Sequence, residues 1–238
     1  MQPAMRGLYA IVDTDTLNAR GVDPVAFAEA VLEGKPAALQ LRDKHGTAKT
    51  TLDLLVAISF LAKRAGVPFF ANDRPDLALI AGCDGVHVGQ EDMPVSAVRL
   101  LAERAQATSA EPLTGKDARF LVGVSTHDRA ELDAALRDDP DYIAIGPVFV
   151  TASKENPSPV VGMEELRARV AIVRERAPFM PVVAIGGITR KTAAQVGRVC
   201  DAVAVISSIV PPDTGPWFFH AVRDRVRALS EAIVGGGA

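Results

Sequence analysis

Gln40, Arg42 and Lys44 alternate with Leu39 and Leu41 along one short apolar run. Alternate residues of a strand face opposite sides, so the leucines take the packed side and one amide and two cations take the other. Such a trio suits an anionic, hydrogen-bonding ligand, unless the register leaves it in solvent beyond the strand end. The next two runs end in acids, Asn72-Asp73 and Gln90-Glu91-Asp92, with Pro75 and Pro94 two residues after each Asp. Asp close to a helix-initiating proline ordinarily belongs to the helix start. Proline at the first helical position makes Arg74 and Met93 the caps, however, and leaves both Asp one residue early. Two carboxylates beside Arg42 and Lys44 then provide oxygen ligands for Mg²⁺ shared with a phosphate-bearing substrate.

Further along, Ser125 offers a hydrogen-bonding hydroxyl in the segment Gly123-Val124-Ser125-Thr126-His127-Asp128. Asp128 and Glu131 have capping-box spacing, and His127 has no acid partner evident from the sequence. His87, between Val86 and Val88, reads as a core histidine, and His45 and His220 as surface residues. Four scattered histidines do not make a zinc site. Gly186-Gly187 and Ser207-Ser208 close two later runs. Glycine lets backbone approach a ligand closely, and backbone N–H groups there can hold a phosphate. Two anion sites are expected, a basic, metal-assisted one and a backbone one.

Eight strand-length runs carry these residues: 7–13, 37–43, 68–73, 85–90, 120–126, 142–148, 181–187 and 202–208. Helical spacing fills the gaps, as in 51–65, 164–177 and 217–233. Strands alternating with helices imply parallel pairing through right-handed crossovers. Eight such units predict a single (β/α)8 barrel over 1–234, with 235–238 as a flexible tail, rather than an open doubly wound sheet. Strand ends on one face of that barrel are where its sites lie. The segment 107–118 reads as a surface insertion on the opposite face, and 150–161 as a polar, proline-bearing substrate lid.

The 238 residues are 48% hydrophobic and 23% charged, enough to bury a sizeable core. With 26 basic and 29 acidic residues the net charge is −3, which gives nucleic acid or an acidic membrane no electrostatic support. Cys83 and Cys200 match no metal or redox spacing and fit a reducing compartment. An early Asp interrupts any signal-peptide core, and the longest apolar stretch is about half a membrane span. A soluble, cytoplasmic protein is expected, and a homo-oligomer is compatible with this composition.

The ordered set QLRDK (40–44), ND (72–73), HVGQED (87–92), GVSTHD (123–128), IGPVFVTASK (145–154), AIGGIT (184–189) and VIS (205–207) resembles the thiamine-phosphate synthase family, in register over roughly residues 7 to 210. The resemblance implies a TIM barrel that joins 4-amino-2-methyl-5-(diphosphooxymethyl)pyrimidine to a thiazole phosphate, giving thiamine phosphate and pyrophosphate. It assigns Gln40, Arg42, Lys44, Asn72, Ser125 and Lys154 to the pyrimidine diphosphate, with catalytic weight on Arg42, Lys44, Ser125 and Lys154. It assigns Asp73 and Asp92 to Mg²⁺, and Thr151, Ser153, Gly187, Ile206 and Ser207 to the thiazole phosphate. The sequence departs from the usual Pro-Thr-x-Thr-Lys at Val150, which removes a rigid φ, and at Ser153, which keeps the hydroxyl. The related thiazole tautomerase would need an acid/base residue, for which His127 is available, and a phosphosugar epimerase would share only the phosphate anchor. A non-catalytic thiazole-phosphate-binding protein is a further alternative.

Overall fold

The computed structural model describes residues 5–108, 119–151 and 158–235. Eight strands, β1 (Gly7–Asp13), β2 (Ala38–Arg42), β3 (Phe69–Asn72), β4 (Gly85–Val88), β5 (Leu121–Thr126), β6 (Tyr142–Ile145), β7 (Val182–Ile185) and β8 (Ala202–Val205), pair in parallel and close in sequence order. Around them lie α1 (Thr14–Asn18), α2 (Pro24–Glu33), α3 (Ala48–Ala65), α4 (Pro75–Ile80), α5 (Val95–Thr108), α6 (Arg129–Asp138), α7 (Gly162–Arg176), α8 (Arg190–Gly197) and α9 (Phe218–Gly235). The alternation in sequence therefore produces a closed (β/α)8 barrel and not an open sheet.

Most strands stop earlier than their apolar runs. The run at 202–208 leaves the ladder after Val205, and Ser207–Ile209 form a 3-10 turn. Residues in the last positions of the strands and just past their ends build the site. Helix α3 starts at Ala48 because the Thr47 side chain accepts the Thr50 N–H, and it ends where Gly66 turns left-handed. Helix α9 takes in Gly235, the first residue of the expected tail, and 236–238 lie outside the described residues, as do 109–118 of the expected insertion.

The two-residue period sorts the strands into two cores. Leu39, Leu41, Val86, Val88, Val122, Val124, Ile143 and Ile145 face the helices. Tyr9, Ile11, Ala38, Phe70, Tyr142, Ala144, Val183, Ala202 and Ala204 fill the barrel. Tyr9, Phe70 and Tyr142 meet edge to face, with centroids 5.6 to 6.0 Å apart.

At the opposite end from the site, one device recurs. Asp84, Asp141 and Asp201 each precede an even-numbered strand. Each accepts an N–H at or next to the start of the preceding odd strand, from Phe69 at 2.8 Å, Val122 at 2.7 Å and Val182 at 2.7 Å. These side chains satisfy donors that the short ladders leave unpaired. Among the described residues, no helix is long and apolar enough to cross a membrane. Burial pushes the thiols of Cys83 and Cys200 up to about 12, so both stay protonated.

Candidate active site

The C-terminal ends of the strands open onto a cavity of about 650 Å³ lined by Gln40, Arg42, Lys44, Asn72, Asp73, Asp92 and Ser125, among others. The alternating trio thus faces inward, as the leucines beside it require. Arg42 does not arrive alone: its guanidinium pairs with Asp13 at 2.5 Å and reaches Asp15 at 3.5 Å. Asp13 also caps α1 through Thr16 N at 2.9 Å, so the end of β1 fixes the orientation of the cation on β2. Lys44 pairs with Asp73. Its loop is anchored by Asp43, which accepts from Thr14 at 2.8 Å and Thr51 at 2.6 Å.

Neither Asp73 nor Asp92 is a helix cap. Helix α4 starts at Pro75 with Arg74 at the cap position and no side-chain capping bond. Asp73 instead stands at φ +63°, bracketed by an Arg74 N–H to Asn72 O bond of 2.8 Å, which closes a rare three-residue turn. Backbone strain of this kind clusters at functional sites. Asp92 Oδ2 accepts the Gly89 N–H at 2.7 Å and closes the loop after β4.

Burial pushes the Asp73 carboxyl above its usual range, Lys44 opposes this, and the adjoining Asp92 adds to it. A carboxyl raised in the folded state costs stability once ionised, and that cost disappears as pH falls through the folded value toward the unfolded one. Asp73→Asn is therefore expected to unfold at a higher temperature than the parent at neutral pH in metal-free buffer, the gap closing in acid. Thermal melts across pH check this, and a lower melting point at neutral pH would contradict it.

Two adjoining carboxylates fit a hard divalent cation. The described residues hold no group of three or more His, Cys, Asp or Glu placed to bind a metal. A two-carboxylate site suits Mg²⁺, which keeps waters and takes substrate phosphate oxygens rather than a full protein cage.

His87 is the core histidine expected, and it makes polar contacts as well. It is buried, yet Nδ1 lies 2.9 Å from Tyr142 Oη and Nε2 lies 2.8 Å from Ser125 Oγ, and the ring lines the cavity. Val86 and Val88 face the helices, so the residue between them must face the barrel interior. Tyr142 reaches His87 only because Gly123 stands beside it on β5: a Cβ there would lie 1.9 Å from Tyr142 Cζ. Gly123→Ala is expected to displace that ring, destabilising the fold by about 1–3 kcal/mol as overpacking does. Chemical denaturation measures the loss, and parental stability would contradict it.

A second cavity, of about 580 Å³, adjoins the first and shares Ile185, Ala204 and Ile206 with it. Its lining includes His127, Thr151, Ser158, Gly187, Ile206 and Ser207. Gly187 has φ +63°, and a Cβ there would lie 2.3 Å from Val150 O. The glycine is thus demanded first by the neighbouring loop, and the approach it permits is of backbone to backbone. Ser153 and Lys154 lie outside the described residues.

His127 does have an acid partner. Glu131 Oε2 lies 2.9 Å from His127 Nδ1 and accepts the His127 N–H at 2.6 Å. Asp128 caps α6 by accepting the Glu131 N–H at 2.8 Å, but the return half of the expected box goes to His127. The i, i+4 spacing of His127 and Glu131 was the available signal. Tyr9, Asp13 and Tyr142 also build the site. Asp13 could have been found as a cap, whereas the tyrosines carried no local signal.

The sequence profile described as thiamine monophosphate synthase matches residues 8–209. The chain is 37% identical over 207 residues to a thiamine-phosphate synthase of Chloroflexus aurantiacus, covering 87% of this chain and 86% of that one. It is 39% identical over 212 residues to one of Koribacter versatilis, covering 85% and 88%. The solved thiamine phosphate pyrophosphorylase of Pyrococcus furiosus superposes with a TM-score of 0.78 at 27% identity, over 99% of both chains. The chain belongs to the thiamine monophosphate synthase family and is a transferase of thiamine biosynthesis.

Proposed function

We propose that the chain condenses 4-amino-2-methyl-5-(diphosphooxymethyl)pyrimidine with a thiazole phosphate to give thiamine phosphate and pyrophosphate, in a reducing cytoplasm. The observation that carries this is the pair of adjoining cavities, one edged by Arg42, Lys44, Asp73 and Asp92, the other by Thr151, Gly187 and Ser207. Two phosphorylated reactants can lie side by side with their reacting ends at the shared wall.

Gln40, Asn72 and Ser125 take the pyrimidine ring. Arg42 and Lys44 meet the diphosphate, with Lys154 assigned alongside them. Thr151, Ser153, Gly187, Ile206 and Ser207 take the thiazole phosphate. Asp73 and Asp92 would hold Mg²⁺, which would supply divalent charge against the negative charge of the diphosphate. The C–O bond to the diphosphate breaks with its electron pair leaving on pyrophosphate, and the aminopyrimidine ring stabilises the methylene cation. Arg42 and Lys44 stabilise the growing negative charge. The thiazole nitrogen, held in place by its phosphate, closes the new C–N bond with its lone pair. No side chain has to form a covalent intermediate.

Pyrophosphate release is expected only when pyrimidine diphosphate, thiazole phosphate and Mg²⁺ are all present, to be abolished by EDTA, and to be matched by thiamine phosphate in the mass spectrum. No release, despite measured binding of the thiazole phosphate, would overturn the reading. That outcome would favour the second reading, a tautomerase, because the His127–Glu131 pair borders the cavity as an acid/base couple could. Loss of tautomerisation in His127→Ala would then separate it from a binding protein.

A further inference from the structure

Five hydrogen bonds cross the barrel interior as one chain. Gln40 Nε2 donates to Asn72 Oδ1 at 2.6 Å, and Tyr9 Oη donates to Gln40 Oε1 at 2.8 Å. Tyr9 Oη lies 2.9 Å from Tyr142 Oη, which lies 2.9 Å from His87 Nδ1, while His87 Nε2 lies 2.8 Å from Ser125 Oγ. For a neutral His87, the direction of every bond follows from proton counting. A carbonyl oxygen cannot donate, so Tyr9 spends its single proton on Gln40. Tyr9 must then accept from Tyr142, and Tyr142, its own proton spent, must accept from His87 Nδ1. A neutral imidazole protonated at Nδ1 has only a lone pair at Nε2, so the Ser125 hydroxyl donates to it. Both phenols remain protonated, because burial drives them well above their ordinary value. The geometry is held firmly: the Tyr142 ring stacks on His87 at 5.6 Å and 20°.

The two ends of the chain face the same cavity with opposite polarity. Ser125 Oγ has given its proton away and can offer a ligand only lone pairs. Asn72 spends a carbonyl lone pair on Gln40 and offers the ligand its Nδ2 protons. An aminopyrimidine matches this pattern, with amino protons for Ser125 and a ring-nitrogen lone pair for Asn72. Its oxo counterpart presents a carbonyl oxygen and a ring N–H in those places and mismatches both.

We propose that His87 and Tyr142 are positioning residues that commit Ser125 to accept and Asn72 to donate, so that the cavity selects an amino-substituted heteroaromatic ring over the oxo form. This rests on the reading of the cavity as the pyrimidine site. Sites built on buried hydrogen bonds reject a mismatched analogue strongly, because the protein groups are left unpaired.

Two measurements test it. In ¹⁵N-histidine protein, two-bond ¹H–¹⁵N spectra, assigned with His87→Gln, are expected to show His87 protonated at Nδ1 and bare at Nε2. An Nε2–H tautomer or an imidazolium overturns the proposal. In steady-state assays with the amino and oxo pyrimidine diphosphates, the parent is expected to prefer the amino ring by ~10³-fold or more in kcat/KM. Tyr142→Phe cannot accept from Nδ1, and its preference is expected to narrow by about tenfold with the KM for thiazole phosphate unchanged. An unchanged preference in a folded Tyr142→Phe overturns the proposal. Should that variant fail to fold, Tyr9→Phe frees the Tyr142 proton for His87 Nδ1, and a tautomer that stays at Nδ1–H is the overturning result. If the parent turns over neither ring, the reading of the cavity fails, while the tautomer in the free protein still decides the relay.

Discussion

Lys44→Ala and Asp92→Ala are each expected to lower kcat/KM by about two to three orders of magnitude with the melting temperature almost unchanged. Lys44 stands at the mouth of the cavity, 42% exposed, and its partner there is Asp73. Its ammonium contributes little to folding, because an ion pair this open is worth under about 1 kcal/mol. It contributes to the reaction because charge grows on the leaving diphosphate beside it, where a fixed cation acts without reorganisation. Asp92→Ala removes one of the two adjoining carboxylates and releases the Gly89 N–H it holds.

If both side chains serve the same departing charge, the double variant falls by less than the product of the two single losses. Lys44→Arg is expected to recover little, since a planar fork does not replace a compact point charge. Steady-state pyrophosphate release with melts on the same samples tests all four variants. Parental rates in either alanine variant would remove these residues from the site.

Asp141→Ala is expected to show the opposite profile, a large loss of stability with catalysis intact below the melting transition. Asp141 is buried before β6, accepts the Val122 N–H at 2.7 Å and pairs with Arg99 at 2.8 Å. Removing one partner of a buried ion pair costs about 3–5 kcal/mol, because the Val122 N–H loses its acceptor and Arg99 loses its countercharge while keeping the carbonyls of Phe120 and Asp139. For a chain of this length about 3 kcal/mol lowers the melting temperature by about 6–12 °C. Asp141→Asn keeps an acceptor for Val122 but loses the negative charge that faces Arg99, and is expected to fall between the two. The turnover rate measured well below the transition should match the parent, because this end of the barrel is remote from the cavity. A melting point within a degree or two of the parent would show that the recurring aspartates are not structural ties.

The separation of stability at one barrel end from chemistry at the other was partly legible in the residues. The two-residue period set Gln40, Arg42 and Lys44 on one face, and the eight runs with intervening helical spacing favoured a closed parallel barrel over an open sheet. The proline after Asp73 placed that Asp ahead of the helix, and α4 starts where that spacing demands. Family motifs supplied the roles proposed for Asn72, Ser125, Gly187 and Ser207. Each of these readings depends only on local spacing or on residues near one another in the chain.

What the chain touches across the barrel was decided by closure. Tyr9 and Tyr142 are 133 residues apart and meet at 2.9 Å because both point inward, an aromatic pair that no window of sequence contains. The same closure makes the core residue His87 the link between Tyr142 and Ser125. It sets Asp13 against Arg42, and presses Gly123 under a tyrosine ring and Gly187 against the carbonyl of Val150. Sequence by itself determined which side chains face the barrel interior and in what order the strands meet. Only the tertiary structure decided which inward groups share protons and charge, because facing is fixed by a strand's own period and contact by the curvature that brings distant strands together.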